Sequence, residues 1–383
     1  MKGKITKKII TYLLTIILIV LSFILVSCGC KHEKVTLKGK DAICYEDGLT
    51  DGEKCILCGE ILKEQTVIPK LIHNYVNGVC TICNMENPLE SLKFEIGDDG
   101  SYYDIVGIGS YKSNTLVLPT EYNGKPVKSV GVEAFMGNDT LKKLIIPAGI
   151  DIGDRAFYNC KILDTLEILD SNTKFGIAAF MGCGDLENVF LPDNMKEITS
   201  NMFNGCVKLK KLELGNTIES IGDLAFAATG FETITIPDSV KTISNGAFWN
   251  AMSLKTINLG SGVETLGDYI FKNCTSLETV VIPDNVKTMG ARLFDGCHGL
   301  KEVTVGNGIE KIGVQAFKNC SGLEKLTLGK NVKSIGSGAF YGCMRITEIY
   351  VASLENWNNI SDRGDLDVYC YGYKVYYNGT QVN

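Results

Sequence analysis

Histidine is almost missing from this sequence: its 383 residues hold three, His32, His73 and His298. A cysteine or serine nucleophile needs a base within reach, and only His298 has a thiol beside it, Cys297, as an immediate chain neighbour. Gly-x-Ser-x-Gly, His-Glu-x-x-His and phosphate-cradling glycine loops are absent as well, so no enzyme class is indicated. Basic runs are equally scarce. No Lys/Arg run exceeds two residues and the net charge is −6, falling to about −10 once a leader carrying Lys2, Lys4, Lys7 and Lys8 is removed. Nucleic acid and anionic lipid headgroups are thereby disfavoured as partners. With 45% hydrophobic and 21% charged residues, no large segment is poor enough in apolar groups to stay unfolded.

One long hydrophobic run is present. Ile9 to Val26 is interrupted only by Thr11, Tyr12, Thr15 and Ser22, and it ends in Leu25-Val26-Ser27-Cys28. That ending resembles the lipobox of bacterial lipoproteins. The resemblance implies cleavage before Cys28 and a diacylglycerol on its thiol, two acyl chains being enough for stable attachment. The alternative is a plain transmembrane anchor, for which the run is about long enough. Either reading puts the chain outside the cytoplasm, attached to a membrane, with residues 1–27 as the signal peptide.

Phenylalanine then recurs at Phe135, Phe157, Phe180, Phe203, Phe226, Phe248, Phe271, Phe294, Phe317 and Phe340, in steps of 22 or 23 residues. Each copy carries a pattern such as Leu277-x-x-Val280-x-Ile282-Pro283-x-x-Val286-x-x-Met289, then Phe294-x-x-Cys297. A fixed period in this range means stacked coils, each burying its apolar face only against its neighbours. The alternation in Leu326-Thr327-Leu328 predicts a short strand, and stacked strands predict a parallel sheet. Pro192, Pro237 and Pro283 alternate with Gly215, Gly260 and Gly306 at the strand ends, which suggests a duplicated two-coil unit. Asp154, Asp223, Asp268 and Ser337 read as N-caps of a single helical turn bearing Ala-Phe-x-x-Cys.

The unit resembles the BspA-like branch of leucine-rich repeats. This implies a repeat solenoid with a parallel β-sheet and short helical turns, of about ten coils over residues 132–345. A hairpin cap over 89–131 and a closing cap over 346–383 cover the ends, because a bare end coil would expose the core.

Cys160, Cys183, Cys206, Cys274, Cys297, Cys320 and Cys343 each fall three residues after an anchor phenylalanine. Coils stacked roughly 4.8 Å apart would bring neighbouring thiols within disulfide reach. The same slot also holds Asn138, Thr229 and Ala251, so the expected role is a small buried side chain.

Residues 28–88 form a separate cysteine-rich module. Two Cys-x2-Cys knuckles, Cys55/Cys58 and Cys80/Cys83, are separated by 21 intervening residues and could supply four thiolates to zinc. The segment also resembles short Cys-x2-Cys-Gly modules of bacterial surface proteins. That resemblance groups Cys44, Cys55, Cys58 and His73 instead, leaving Cys80 and Cys83 to a second site completed by Cys30 or His32. Disulfides are the competing reading for an extracytoplasmic segment.

The expected function is adhesion or host and cell interaction, as the BspA-like resemblance implies, through a protein or polysaccharide ligand and without nucleic acid. A structural envelope protein lacking a specific ligand and a zinc-dependent enzyme are the alternatives. Outward strand positions run Ile145, Glu167, Phe190, Glu213, Thr235, Asn258, Val281, Thr304, Thr327 and Tyr350. Of these, Phe190, Val281 and Tyr350 are the candidate contact residues, since aromatic and bulky groups dominate binding hot spots.

Overall fold

A computed structural model describes residues 32–382 except 43, 45, 46, 72, 171, 361, 362, 364 and 371. The expected leader, Cys28 and Cys30 lie outside the described residues. Chain contacts divide the molecule into two units, Met1–Asn84 and Met85–Asn383.

The larger unit is a parallel β-solenoid of about 12 turns with little helix. Thr115–Val117, Lys143–Ile146, Thr165–Ile168 and Asn188–Phe190 pair in parallel as its first sheet. After one interruption the stack resumes with Thr233–Thr235, Thr256–Asn258, Thr279–Ile282, Glu302–Val305, Lys325–Leu328 and Glu348–Val351. Register places Val280, Val303, Leu326 and Ile349 in one buried column. A slip of one residue would turn that whole column to water, so the hydrophobic pattern fixes the register. A second ladder of two-residue strands, from Glu197–Ile198 to Thr288–Met289, forms the next corner of each coil.

The ten anchor phenylalanines stack face to face through the interior, with successive ring centroids 4.8 to 6.1 Å apart. All are buried. Both ends are closed. At the front, Lys93–Ile96 pairs antiparallel with Tyr103–Gly107, and Phe94 stacks on Tyr122 of the following hairpin at 4.0 Å. At the back, Lys374–Tyr377 adds in parallel to Glu348–Val351 and turns through Asn378-Gly379 into Thr380–Gln381. The helix Leu354–Asn359, capped by Ser353 Oγ accepting from Asn356 N, buries Trp357 in this end.

The Ala-Phe-x-x-Cys segments are runs of tight turns rather than helical turns. Tyr158 N donates to Arg155 O and Cys160 N to Phe157 O, but Phe157 N donates to Ala179 O in the next coil. Alternate amides thus leave the local turn to join neighbouring coils, and Arg155 and Asn159 adopt φ of 52° and 56° to allow it. The expected N-caps work across coils for the same reason. Asp154 Oδ1 accepts from Ile177 N at 2.8 Å, Asp223 Oδ1 from Asn245 N at 2.9 Å and Asp268 Oδ1 from Ala291 N at 2.7 Å. At the strand ends the coils approach closely: a Cβ on Gly260 or Gly306 would lie 2.4 or 2.5 Å from the carbonyl oxygen of Pro237 or Pro283 in the preceding coil, and one on Gly329 would lie 2.4 Å from Gly306 O.

Candidate functional site

In the smaller unit, each Cys-x2-Cys is a tight turn closed by a residue in the left-handed region. Gly59 N donates to Cys55 O with φ at 77°, and Asn84 N donates to Cys80 O with φ at 58°. Glycine and asparagine are the residues that enter this region at least cost. A hairpin turning on Asn77-Gly78 pairs Tyr75–Val76 with Val79–Cys80, which carries His73 back to the second knuckle.

The structure gathers Cys44, His73, Cys80 and Cys83 so that all four ligand atoms lie within 4.8 Å of one another. His32, Cys55 and Cys58 form a second such group. Neither of the groupings expected from the sequence is present: the two knuckles do not share a site, and Cys44 and His73 accompany the second knuckle rather than the first. The reason is the Tyr75–Cys80 hairpin, which fixes His73 beside Cys83 irrespective of chain order.

The spacing suits a tetrahedral ion. Cys44 Sγ and Cys80 Sγ are 3.7 Å apart, and Cys83 Sγ and His73 Nδ1 are 3.5 Å apart. Ligand bonds of ~2.3 Å to sulfur and ~2.0 Å to nitrogen at tetrahedral angles require about those edges, whereas a disulfide needs ~2.05 Å. The charge pattern agrees. Burial opposes ionisation of Cys80, but the amides of Cys83 and Ile82 and the His73 ring outweigh it and bring the thiol down to about 5. Burial and the neighbouring thiols of Cys80 and Cys83 push Cys44 up to about 12. Without a cation, adjacent thiolates repel and the proton stays on Cys44; a divalent ion removes that cost.

On the solenoid, the outward sheet stripe is interrupted. Residues 211–214 form no strand, and among the described residues no backbone hydrogen bond ties them to the strands on either side. The opening beside Asn188–Phe190 is a cleft of about 750 Å³ lined by Phe190, Leu212 and Leu214 together with Glu187, Asp193 and Lys211. Phe190 is 58% exposed on its rim. Val281, 61% exposed, lines a smaller cleft of about 360 Å³ where Thr256–Asn258 and Thr279–Ile282 share a single paired position. Tyr350 is half-buried, its ring stacked on Tyr376 at 4.9 Å and its hydroxyl donating to Glu348 Oε2. Ile145 keeps its register between Val117 and Glu167 but is buried rather than exposed, and Lys143 on the same strand pairs with Glu167 at 2.8 Å.

Cys297 and His298 do not form a dyad. The Cys297 thiol is buried, held well above its ordinary value by that burial, and donates to Phe271 O, while His298 Nδ1 lies 3.4 Å from Ser321 Oγ. Among the described residues, no helix is long and apolar enough to cross a membrane. Cys370 was not singled out by the sequence pattern; its thiol donates to Cys343 O at 2.8 Å and extends the cysteine column into the closing cap.

Residues 128–255 and 241–363 match the model of the BspA type leucine rich repeat region, in six copies. Three solved structures are similar. A leucine rich cell surface protein from Faecalibacterium prausnitzii is 20% identical over 82% of this chain and 96% of its own, with a TM-score of 0.42. A leucine rich repeat protein from T. pallidum is 25% identical over 56% of this chain and 89% of its own, at 0.38. One from Bacteroides ovatus is 22% identical over 75% of this chain and 98% of its own, at 0.36. No curated protein matches.

Proposed function

This chain belongs to the BspA-type leucine-rich-repeat family, and from that premise we propose that it is a membrane-anchored surface lipoprotein whose solenoid binds a protein or glycan ligand, for adhesion or cell interaction. The observation that carries the reading is the break in the sheet at residues 211–214, where an exposed phenylalanine borders a cleft. Half of the ten stripe positions carry charged or threonine side chains, and Phe190, 58% exposed among them, leaves most of its ring open to a partner. Extended concave surfaces of stacked repeats are the usual recognition faces of such proteins. Attachment runs through a lipid on Cys28, and localisation is extracytoplasmic.

The cysteine-rich module, which forms the head of the mature chain, holds zinc, with Cys44, His73, Cys80 and Cys83 as its ligands. Three sulfurs and one imidazole fill a tetrahedral zinc and leave no position for substrate, which favours a structural over a catalytic role. A segment this small gains much of its folding free energy from such an ion. Screening the mature chain against protein and glycan arrays tests the binding reading. Saturable binding weakened at least tenfold by Phe190→Ser is the expected result; no saturable binding on either array would support the alternative of an envelope component without a ligand.

A further inference from the structure

We infer that the head holds a second metal centre, built on His32, Cys55 and Cys58, and that the two centres cross-brace the module. Their ligand atoms lie within 4.8 Å of one another, with Cys58 Sγ 3.9 Å from His32 Nδ1. The ring of His32 supplies an independent sign. Its Nδ1 faces the sulfurs while its Nε2 lies 3.7 Å from Glu60 Oε2. Metal-bound imidazoles commonly give their second N–H to a carboxylate, which fixes the tautomer and turns the free lone pair to the ion. Here Glu60 would do that from the exit of the same knuckle that supplies Cys55 and Cys58, since Cys55 N donates to Glu60 O.

The donor set is one that divalent zinc accepts, two sulfurs and a nitrogen, and a four-coordinate ion takes one further donor. Order along the chain gives the centres their mechanical meaning. His32 precedes Cys44, Cys55 and Cys58 follow it, and His73, Cys80 and Cys83 come last. The ligands interleave, so each ion closes a loop that contains part of the other's set. A head with four short antiparallel pairings and few large buried groups is held by two clasps that cannot be opened independently by fraying one end. The centres differ in access. Cys44 and Cys80 are buried, whereas Cys58 and His32 are exposed, so the His32 centre meets chelators first.

This inference rests on the zinc reading of the Cys44 centre, and one experiment separates the two. Zinc is counted by elemental analysis on the mature full-length chain and on Cys58→Ser, Cys83→Ser and Glu60→Gln, and its release to a chromogenic chelator is followed in time. Two zinc ions per chain are expected, released in two phases. Cys58→Ser should keep one and lose the fast phase, Cys83→Ser should lose the slow phase, and Glu60→Gln, which removes no ligand, should quicken the fast phase about tenfold. One zinc per chain, unchanged in Cys58→Ser and lost in Cys83→Ser, would overturn the second centre and leave the first standing. No zinc in the wild-type chain would overturn both.

Discussion

The thiol of Cys297 donates its hydrogen to the carbonyl oxygen of Phe271, 3.0 Å away and one coil earlier. The contact is repeated by Cys160 to Phe135, Cys183 to Phe157, Cys206 to Phe180, Cys274 to Phe248, Cys320 to Phe294 and Cys343 to Phe317, at 2.9 to 3.4 Å. Cysteine in this slot is therefore more than a compact hydrophobe, because it also gives a buried carbonyl a weak donor. Thr229 occupies the same slot but turns its hydroxyl to Phe226 O in its own coil. Cys297→Ala should cost about 1 kcal/mol, from a small void and the loss of a second, weak donor to Phe271 O, which still accepts from Cys274 N at 3.0 Å. Urea denaturation reads this directly, and an unchanged midpoint would show that neither the packing nor the thiol contact in this slot stabilises the fold.

Phe271 lies between Phe248 and Phe294, with centroids 5.7 and 5.3 Å away, and is fully buried. Phe271→Ala removes a ring from the middle of the stack and should cost about 3–5 kcal/mol. Coils interact only with their neighbours, so hydrogen exchange should rise most in the coils on either side of residue 271 and fall off towards the caps. Uniform exchange across the solenoid would contradict this nearest-neighbour account.

The buried thiols set an alkaline limit. Burial pushes Cys274 up to about 12 and raises Cys183, Cys297 and Cys320 well above the ordinary thiol value of 9.0. A folded-state value above the unfolded one means that the stabilisation is complete below about pH 9 and is lost as pH rises towards 12. Alkylation at pH 8 should spare the seven repeat cysteines in the folded protein and reach them only after unfolding. Rapid native labelling of Cys274 would show that the column is open.

Acid works through surface ladders. Glu264 is lowered first by its hydrogen bond to Lys287 and Glu232 by its bond to Lys255, while Asp284 is lowered by the amide of Asn307. Depressed carboxyl values give a contribution that is complete above their ordinary values of 4.5 and 3.8 and is lost as pH falls through the lowered ones. Melting temperature should stay level from neutrality to about pH 5 and then drop. The Lys–Glu part of the drop should shrink in 0.5 M salt, since these groups are exposed and screened. A melting temperature independent of pH down to 3 would rule these ladders out as contributors.

The solenoid was legible because one period carries everything: Phe, Cys and the strand pattern recur in fixed phase, so ten weak signals add. Cys370 escaped because it stands 27 residues after Cys343, in the closing cap, with Asp367 rather than phenylalanine three residues before it. Ile145 is buried although it stands in register with Val117 and Glu167 between the core residues Leu144 and Ile146, an outcome that alternation within one strand does not encode. Metal grouping was the least legible feature. Ligand type and knuckle spacing are local, but the partner of Cys44 is decided by the hairpin at Asn77-Gly78, which swings His73 to Cys83. The side-chain oxygens of Asp154 and Asp223 show the same limit, being cap-like in sequence yet spent on the next coil.

The central claim is that the interrupted sheet face is the recognition surface. It is tested most directly by measuring binding of the mature chain to array-captured ligand for wild type, Phe190→Ser and Tyr341→Ser, the last being an exposed aromatic, 48% accessible, in a turn segment outside the sheet. Binding reduced at least tenfold by Phe190→Ser and unchanged by Tyr341→Ser is the predicted result. Full binding by Phe190→Ser, or loss only with Tyr341→Ser, would contradict it.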